Sequence, residues 1–454
     1  MPTPNIARLA VEIKFIDACF LTHACPRYGT ESPRHGVAVR HAMDIGLDLA
    51  ILLQIRVGVY RCPRCRKKRF FRTPLDFLGP RHFYVRRCRA KLVASIREDG
   101  MPIGRAAKRM ERDFNIGIAV STAWEWLREN QPDAEEIAEY EHLVAASFSG
   151  VLCVDEVYDG GYGILCATDP LNKRTIAYEL CDGINQERVT AFFMRLKAMG
   201  IEAEVVTTDG SNLYPKAIKA VWKACLHQLC RFHWTKDIVQ EVNKGVRDYR
   251  NSLPKPEKRA KRGRPRKDEA AARADAETAQ SARDDLRKGW LLLVARRENL
   301  NEEQTKRLDV LLANHAPLVV IRSFVDDFYG IFQGKPRPKE AARRRQRLLQ
   351  NTDYAASPFL AAPLEILKDD VKFAKVALYL NYKNLNSTSN DVERDNRGFR
   401  KGQKSHYRFR SPESLQVYLN CRLLRAGAPT TVNRAGPRPH FSRERPAGKL
   451  LRAG

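Results

Sequence analysis

The stretch VLCVDEVYDGG, residues 151–161, decides the reading of this chain. Val151, Leu152, Cys153 and Val154 run like a strand entering a core, and the chain then presents Asp155. A carboxylate at the end of an apolar strand must be solvated, paired or holding something positive. A second case follows in EAEVVTTDG, residues 202–210, where an apolar strand again ends on an acid, Asp209. Two such strands in one sheet bring like charges together, which is unfavourable unless a cation bridges them. Oxygen-only ligands call for a hard ion such as Mg²⁺. A pair of such ions about 4 Å apart serves phosphodiester chemistry.

A third acid is expected in LNSTSNDVERDNRGFRKGQK, residues 385–404. There Asn390 can cap a helix that carries Glu393, followed by Arg394, Arg397, Arg400 and Lys401. An acid beside a basic helix face suits a metal-bound carboxylate flanked by groups that grip DNA phosphates. Each acid taken singly also fits a plain capping role: Asp155 before Gly160, Asp209 ahead of the helix near Tyr214, Glu393 in a capping box with Asn390. The joint order of strand, strand and late basic helix favours the site.

Around these acids the chain alternates. VLCVDEV, GILCATD and RTIAYELCD read as strands separated by Gly, Asp and Asn turns. QERVTAFFMRLKAMG places Val189, Phe192, Phe193, Leu196 and Met199 at helical spacing, and Pro215 suits the first turn of another helix. Residues 251–285 collapse to charged residues, Ala, Pro and Gly and read as a basic linker. Within it, KRGRPRK resembles an AT-hook, with Arg262 and Arg264 suited to a narrow minor groove. Helical patterns fill 286–375 and 376–426, and the Pro- and Arg-rich tail 427–454 reads as disordered.

The whole sequence of 454 residues has a formal charge of +27, from 80 Lys and Arg against 53 Asp and Glu, which points to a polyanionic partner. No run of apolar residues is long enough to span a membrane, and the first residues lack a signal-peptide core. Cysteines scattered through apolar strands fit a reducing cytoplasm better than a disulfide scaffold. Upstream, Cys62 and Cys65 form a C-x-x-C in a basic, aromatic segment of the region 1–83. Residues 84–140 read as a helix-turn-helix whose third helix, begun by Ser121 and Thr122, would present Thr122, Glu125 and Arg128 to DNA while Trp124 and Leu127 face the core.

The order Asp155, Asp209, Glu393 on strand, strand and helix resembles the DDE transposases of bacterial insertion sequences. CRFHW, residues 230–234, is similar to the C-x-x-H element that many of them carry after the second aspartate. The long gap from Asp209 to Glu393 resembles the subgroup with a helical insertion. The resemblance implies an RNase H-like mixed α/β sheet with helices on both faces, split between 148–250 and 376–426 by an all-α insertion. A zinc-ribbon-like region and a helical DNA-binding region would precede it. It further implies that Asp155, Asp209 and Glu393 bind Mg²⁺ (or Mn²⁺), cut the ends of an element and join them to target DNA. The partners implied are terminal inverted repeats, target DNA and further copies of the chain, in a bacterial cytoplasm. Neighbouring acids stay open as alternatives: Glu156 or Asp159 for the first position, Asp391 or Asp395 for the third. Cys230 and His233 read as a buried structural thiol with a hydrogen-bonded imidazole. In the zinc ribbon, Cys25 would join Cys62 and Cys65 on Zn²⁺, but Tyr28 stands where a further cysteine is expected; Cys19, His23, His35 or His41 could complete the set. A DNA-binding regulator without catalysis, or a nuclease without strand transfer, are the competing readings.

Overall fold

A computed structural model describes residues 11–47, 49–65, 69–253, 268–406, 409, 411–427 and 441, of which 268–279, 405–406 and 426–427 are described by backbone alone. Arg262 and Arg264 lie outside the described residues. The chain divides into two units, one drawn from residues 1–141, 159–162 and 397–433, the other from 142–158, 163–396 and 434–454.

In the first unit, strands β1 (Val11–Ala18), β2 (Thr22–Ala24), β3 (Glu31–Ile45), β4 (Ala50–Arg61) and β5 (Phe70–Arg72) form one sheet in the order β1-β4-β3-β2, with β5 on β4. The long β3–β4 hairpin pairs from Arg34↔Tyr60 to Ile45↔Ala50. Helices α1 (Arg86–Arg97), α2 (Ile103–Phe114), α3 (Val120–Glu129) and α4 (Ala134–Ala146) follow. Leu92, Met110, Ile116, Ala123, Trp126 and Leu127 close one core with Ala42 and Ile55 of the hairpin. Helix α3 starts at Val120, with Ala119 at its cap and no side-chain cap bond, so Ser121 and Thr122 sit inside its first turn rather than capping it. Leu127 is buried as expected; Trp126 is the buried tryptophan, and Trp124 only packs against the core from its edge.

The second unit is built on the sheet order β10-β9-β6-β7-β8. Its strands are β6 (Val151–Asp159), β7 (Tyr162–Asp169), β8 (Arg174–Cys181), β9 (Val205–Thr208) and β10 (Leu226–Leu229). Only Gly160 and Gly161 separate β6 from β7, and Gly160 takes φ +62°, which a side chain rarely adopts. By contrast β6, β9 and β10 pair in parallel, which requires crossovers. Helices α5 (Gln186–Ala198) and α6 (Tyr214–Val221) supply them. The central strand is longer than the sequence predicts: polar Glu156 and Tyr158 alternate with buried Val157, so β6 continues to Asp159 and Asp155 lies within it rather than at its end.

After β10, α7 (Arg231–Ser252) leads into an all-helical body. It comprises α8 (Asp268–Val294), α9 (Glu302–Asn314), α10 (Ala316–Gly330), α11 (Pro338–Leu349), α12 (Thr352–Ala356), α13 (Ala361–Lys368) and α14 (Asp370–Val376), with two short 3-10 turns. Helix α8 begins at Asp268, so the later part of the expected linker is helical. Trp234, Ile238 and Val242 of α7 share a core with Leu308, Phe324, Phe328, Leu360 and Phe373. Helix α15 (Asn390–His406) returns to the sheet, and α16 (Pro412–Gly427) sends Val417 and Cys421 into the core of the first unit. Of the expected disordered tail beyond Gly427 only Phe441 is among the described residues; its ring is buried and its N–H donates to Ser149 O at 2.7 Å. The order of strands, the crossovers and the interposed helices make this an RNase H-like α/β core with a helical insertion.

Candidate active site

Strand register sets the first two acids. Val151 pairs with Val205, Leu152 with Val206 and Cys153 with Thr207. The same offset carried forward places Asp155 level with Asp209, just past the end of β9. Alternation along β6 then sends Asp155 and Glu156 to opposite faces. Asp155 meets α15, where Asn396 Nδ2 donates to its Oδ2 at 2.7 Å. Glu156 meets α6, where it accepts from the Tyr214 hydroxyl. Burial, with the like charge of Asp209, pushes the Asp155 carboxyl above its ordinary pKa, against hydrogen bonds from the Glu156 N–H and Asn396. Burial also raises Glu156, with Asp209 and Asp155 adding to it. Asp209 takes the Ser211 N–H at 2.9 Å.

Helix α15 is held against the sheet by its own acids and by the chain before it. Asp395 accepts from Cys166 Sγ at 3.2 Å and from the Tyr178 hydroxyl. Arg231 N–H donates to Ser387 O at 2.9 Å, and Gln228 donates to Asn386 O. Asn390 is the first residue of α15, and Ser389 is the one that contacts Glu393: Ser389 Oγ donates to Glu393 Oε1 at 3.3 Å, and the Glu393 N–H donates to Ser389 O at 3.1 Å. Arg394, Arg397, Arg400 and Lys401 are all exposed along this helix, Arg394 in an ion pair with Asp391 at 3.2 Å.

The neighbouring acids are engaged elsewhere. Asp159 is buried and accepts from Gln403 and from Phe409 N–H. Asp395 and Glu156 have the hydroxyl and thiol partners named above. Among the described residues, neither Asp155 nor Asp209 has an ion pair with Lys or Arg. Two half-buried like-charged carboxylates without a Lys or Arg partner fit a hard divalent cation held through oxygen.

Glu393 stands in a different company. One of its oxygens, a nitrogen of His233 and the sulfur of Cys230 lie within 4.8 Å of one another, whereas the two aspartates are not part of that group. Cys230 N–H donates to Thr208 O at 2.8 Å, which anchors the start of α7 next to Asp209. Contact with Cys230 is the main reason the His233 pKa rises to about 9, and the charges of Glu393 and Asp155 add to it. Burial works against the Cys230 thiolate, but bonds from His233 and Ser389 overcome it and hold the thiol below its ordinary value. The C-x-x-H element thus sets a buried thiol against the imidazole, and the pair lies beside Glu393. Sequence reasoning missed Asn396, whose one available signal was its i+3 spacing from Glu393.

In the first unit, Cys25, Cys62 and Cys65 come together within 4.8 Å, with Cys25 Sγ and Cys65 Sγ 3.8 Å apart. Cys19, His23, His35 and His41 do not join them, and Tyr28 is exposed. Three thiols so placed have the donor chemistry of a zinc site with one position open. On α3, Thr122 is half-buried, and Glu125 and Arg128 are exposed.

Among curated proteins none matches this sequence. Among solved structures, the Drosophila P element transposase strand transfer complex is similar at a TM-score of 0.36 and 11% identity, over 76% of this chain and 92% of that one. At that depth the likeness is too loose to equate individual residues. The ISL3-type DDE family model, described as Transposase, matches residues 152–417. That span covers more than half of the chain, from the first apolar strand of the core to α16, and the chain therefore belongs to the ISL3-type DDE transposases and is a DNA transposase.

Proposed function

We propose that this transposase cuts the ends of an insertion sequence and joins them to target DNA at a site made by Asp155, Asp209 and Glu393. One observation carries the reading: Asp155 and Asp209 stand level on adjacent parallel strands, and the helix bearing Glu393 reaches Asp155 through Asn396. Asp155 and Asp209 would hold Mg²⁺ or Mn²⁺, with Glu393 approaching from α15. The bound metal supplies positive charge to the scissile phosphate and lowers the pKa of the attacking hydroxyl. Asn396 orients Asp155, and the exposed Arg397, Arg400 and Lys401 draw the DNA backbone along α15. The α3 face with Thr122 and Arg128 would read the terminal repeats, and Arg262 and Arg264 would add minor-groove contacts. Cys25, Cys62 and Cys65 would hold structural Zn²⁺. Bringing two ends together calls for at least two copies of the chain on DNA, working in the bacterial cytoplasm. No described helix is long and apolar enough to cross a membrane.

The test incubates purified protein and Mg²⁺ with DNA carrying candidate ends from the flanks of its own gene. Asp155→Asn, Asp209→Asn and Glu393→Gln should each lower cleavage by about a thousandfold or more while binding to the ends persists. A variant that cuts at the wild-type rate removes that residue from the site. Cleavage without joining of 3′ ends would favour the nuclease reading, and binding without any cleavage would favour a regulator.

A further inference from the structure

We propose that Cys230, His233 and Glu393 form a second metal site, selective for zinc, whose occupation silences the transposase by withdrawing Glu393 from catalysis. The silencing rests on the reading of Glu393 given above; the metal site itself does not.

The donors are one sulfur, one imidazole nitrogen and one carboxylate oxygen, all within 4.8 Å of one another. His233 Nε2 lies 3.9 Å from Glu393 Oε1. In a tetrahedral zinc site, bonds of about 2.0–2.3 Å put neighbouring ligand atoms roughly 3.3–3.8 Å apart. The imidazole and carboxylate are thus close to ligand spacing, the sulfur lies within 4.8 Å of both, and water would fill the fourth position. Sulfur and imidazole select zinc over magnesium, which prefers oxygen alone.

The surroundings are already arranged. Cys230 is buried at 1% exposure and its sulfur accepts the Ser389 N–H at 3.4 Å. Ser389 Oγ also holds Glu393, so one residue orients two of the three donors, as groups behind metal ligands do. On zinc binding the thiol gives its proton to solvent and the sulfur becomes a thiolate ligand. The same carboxylate cannot then turn toward Asp155.

The experiment adds zinc chloride to the full-length chain and has two arms. In the first, bound zinc is counted after dialysis for wild type, Cys230→Ser and His233→Asn, each checked for native circular dichroism. Wild type should retain one zinc per chain more than either variant, whatever Cys25, Cys62 and Cys65 hold. Equal zinc in all three overturns the site. In the second arm, Mg²⁺-dependent cleavage is followed as zinc rises. At free zinc roughly ten times the dissociation constant, wild-type cleavage should fall about tenfold, and Cys230→Ser should lose less than a third of its own zinc-free rate. Zinc bound through Cys230 without inhibition overturns the silencing. If Glu393→Gln cleaves normally without zinc, the catalytic reading of Glu393 fails instead, and the zinc count still decides the metal site.

Discussion

Asn396 Nδ2 donates to Asp155 Oδ2 at 2.7 Å, tying the middle of β6 to a helix that follows it by 241 residues in sequence. Asn396 is only 6% exposed, and its Oδ1 has no hydrogen-bond partner. The amide therefore fixes one carboxylate oxygen and leaves the other for a cation. Replacing Asn396 with Ala should cost roughly 10- to 100-fold in metal affinity or rate, the usual cost of losing a group behind a metal ligand. Asn396→Asp should cost more, since it sets a like charge against Asp155. Mg²⁺ titration of cleavage is the readout, because a purely structural loss would lower the rate without moving the half-saturating Mg²⁺. An unchanged half-saturation point would refute the orienting role.

Exposed cations on α15 lead to a different kind of expectation. Each phosphate contact contributes about 0.9 to the slope of log affinity against log salt on duplex DNA. Arg400→Ala and Lys401→Ala should each lower that slope by about one and weaken all sequences alike. Arg394 has its charge engaged by Asp391, so Arg394→Ala should change the slope less. Competition binding at several salt concentrations checks the ranking, and equal slopes for all four proteins would count against this face.

How much of this could be read beforehand depended on how local each signal was. Asp155 and Asp209 stood out because apolar runs lead into them, and parallel register needs only those two runs. The extent of β6 did not, because its last residues alternate instead of remaining apolar. The start of helix α8 is masked by the charge of DEAAARADAETAQ, although its Ala, Glu and Arg content favours helix. Cys25 joins Cys62 and Cys65 because β3 and β4 are hydrogen-bonded over their length, a pairing no short window displays. Phe441 was one aromatic in a Pro- and Arg-rich tail, and only its burial against Tyr382 gives it meaning. Asn396 and the approach of Cys230 to Glu393 are contacts between distant segments, where spacing carries little information.

Gly245 lies inside α7, where alanine would ordinarily stabilise by about 1 kcal/mol. Here a Cβ would come 2.1 Å from the carbonyl oxygen of Phe359. That atom is backbone and cannot rotate away, so α7 would have to move off the segment leading into α13. Gly245→Ala should therefore destabilise, by about 1–3 kcal/mol as overpacking does. Chemical denaturation measures it, and a gain in stability would show that the two segments separate freely.

Arg322 is buried at 1% exposure on α10. Its Nη1 donates to the carbonyls of Leu292 and Leu293 at 3.0 Å and of Ala295 at 2.6 Å, while Nε reaches Asp326 at 3.2 Å. One guanidinium thus satisfies the last carbonyls of α8, where the helix dipole favours positive charge. Arg322→Ala should cost about 3–5 kcal/mol. Arg322→Lys should recover little of it, since an ammonium lacks the planar fork that serves α8 and Asp326 together. Thermal unfolding of both variants decides this; a lysine variant as stable as wild type would reduce Arg322 to a simple charge.

His227, on β10, donates to or accepts from Thr208 Oγ1 through Nε2 at 2.9 Å, and its buried Nδ1 has no partner. Burial, helped by the charge of Lys375, holds its pKa down to about 4. An unfolded histidine titrates near 6.5 or about that value, so between the two the unfolded chain takes a proton that the folded chain refuses. Stability from this residue is whole above about 6.5 and is lost progressively as pH falls through the folded pKa. Relative to neutral pH, the loss at about pH 5 should approach roughly 2 kcal/mol. His227→Gln keeps a polar group for Thr208 but cannot titrate, so it should flatten that part of the pH dependence. Denaturant midpoints for both proteins at about pH 5 and pH 7 provide the comparison; parallel losses would mean that the acid sensitivity arises elsewhere.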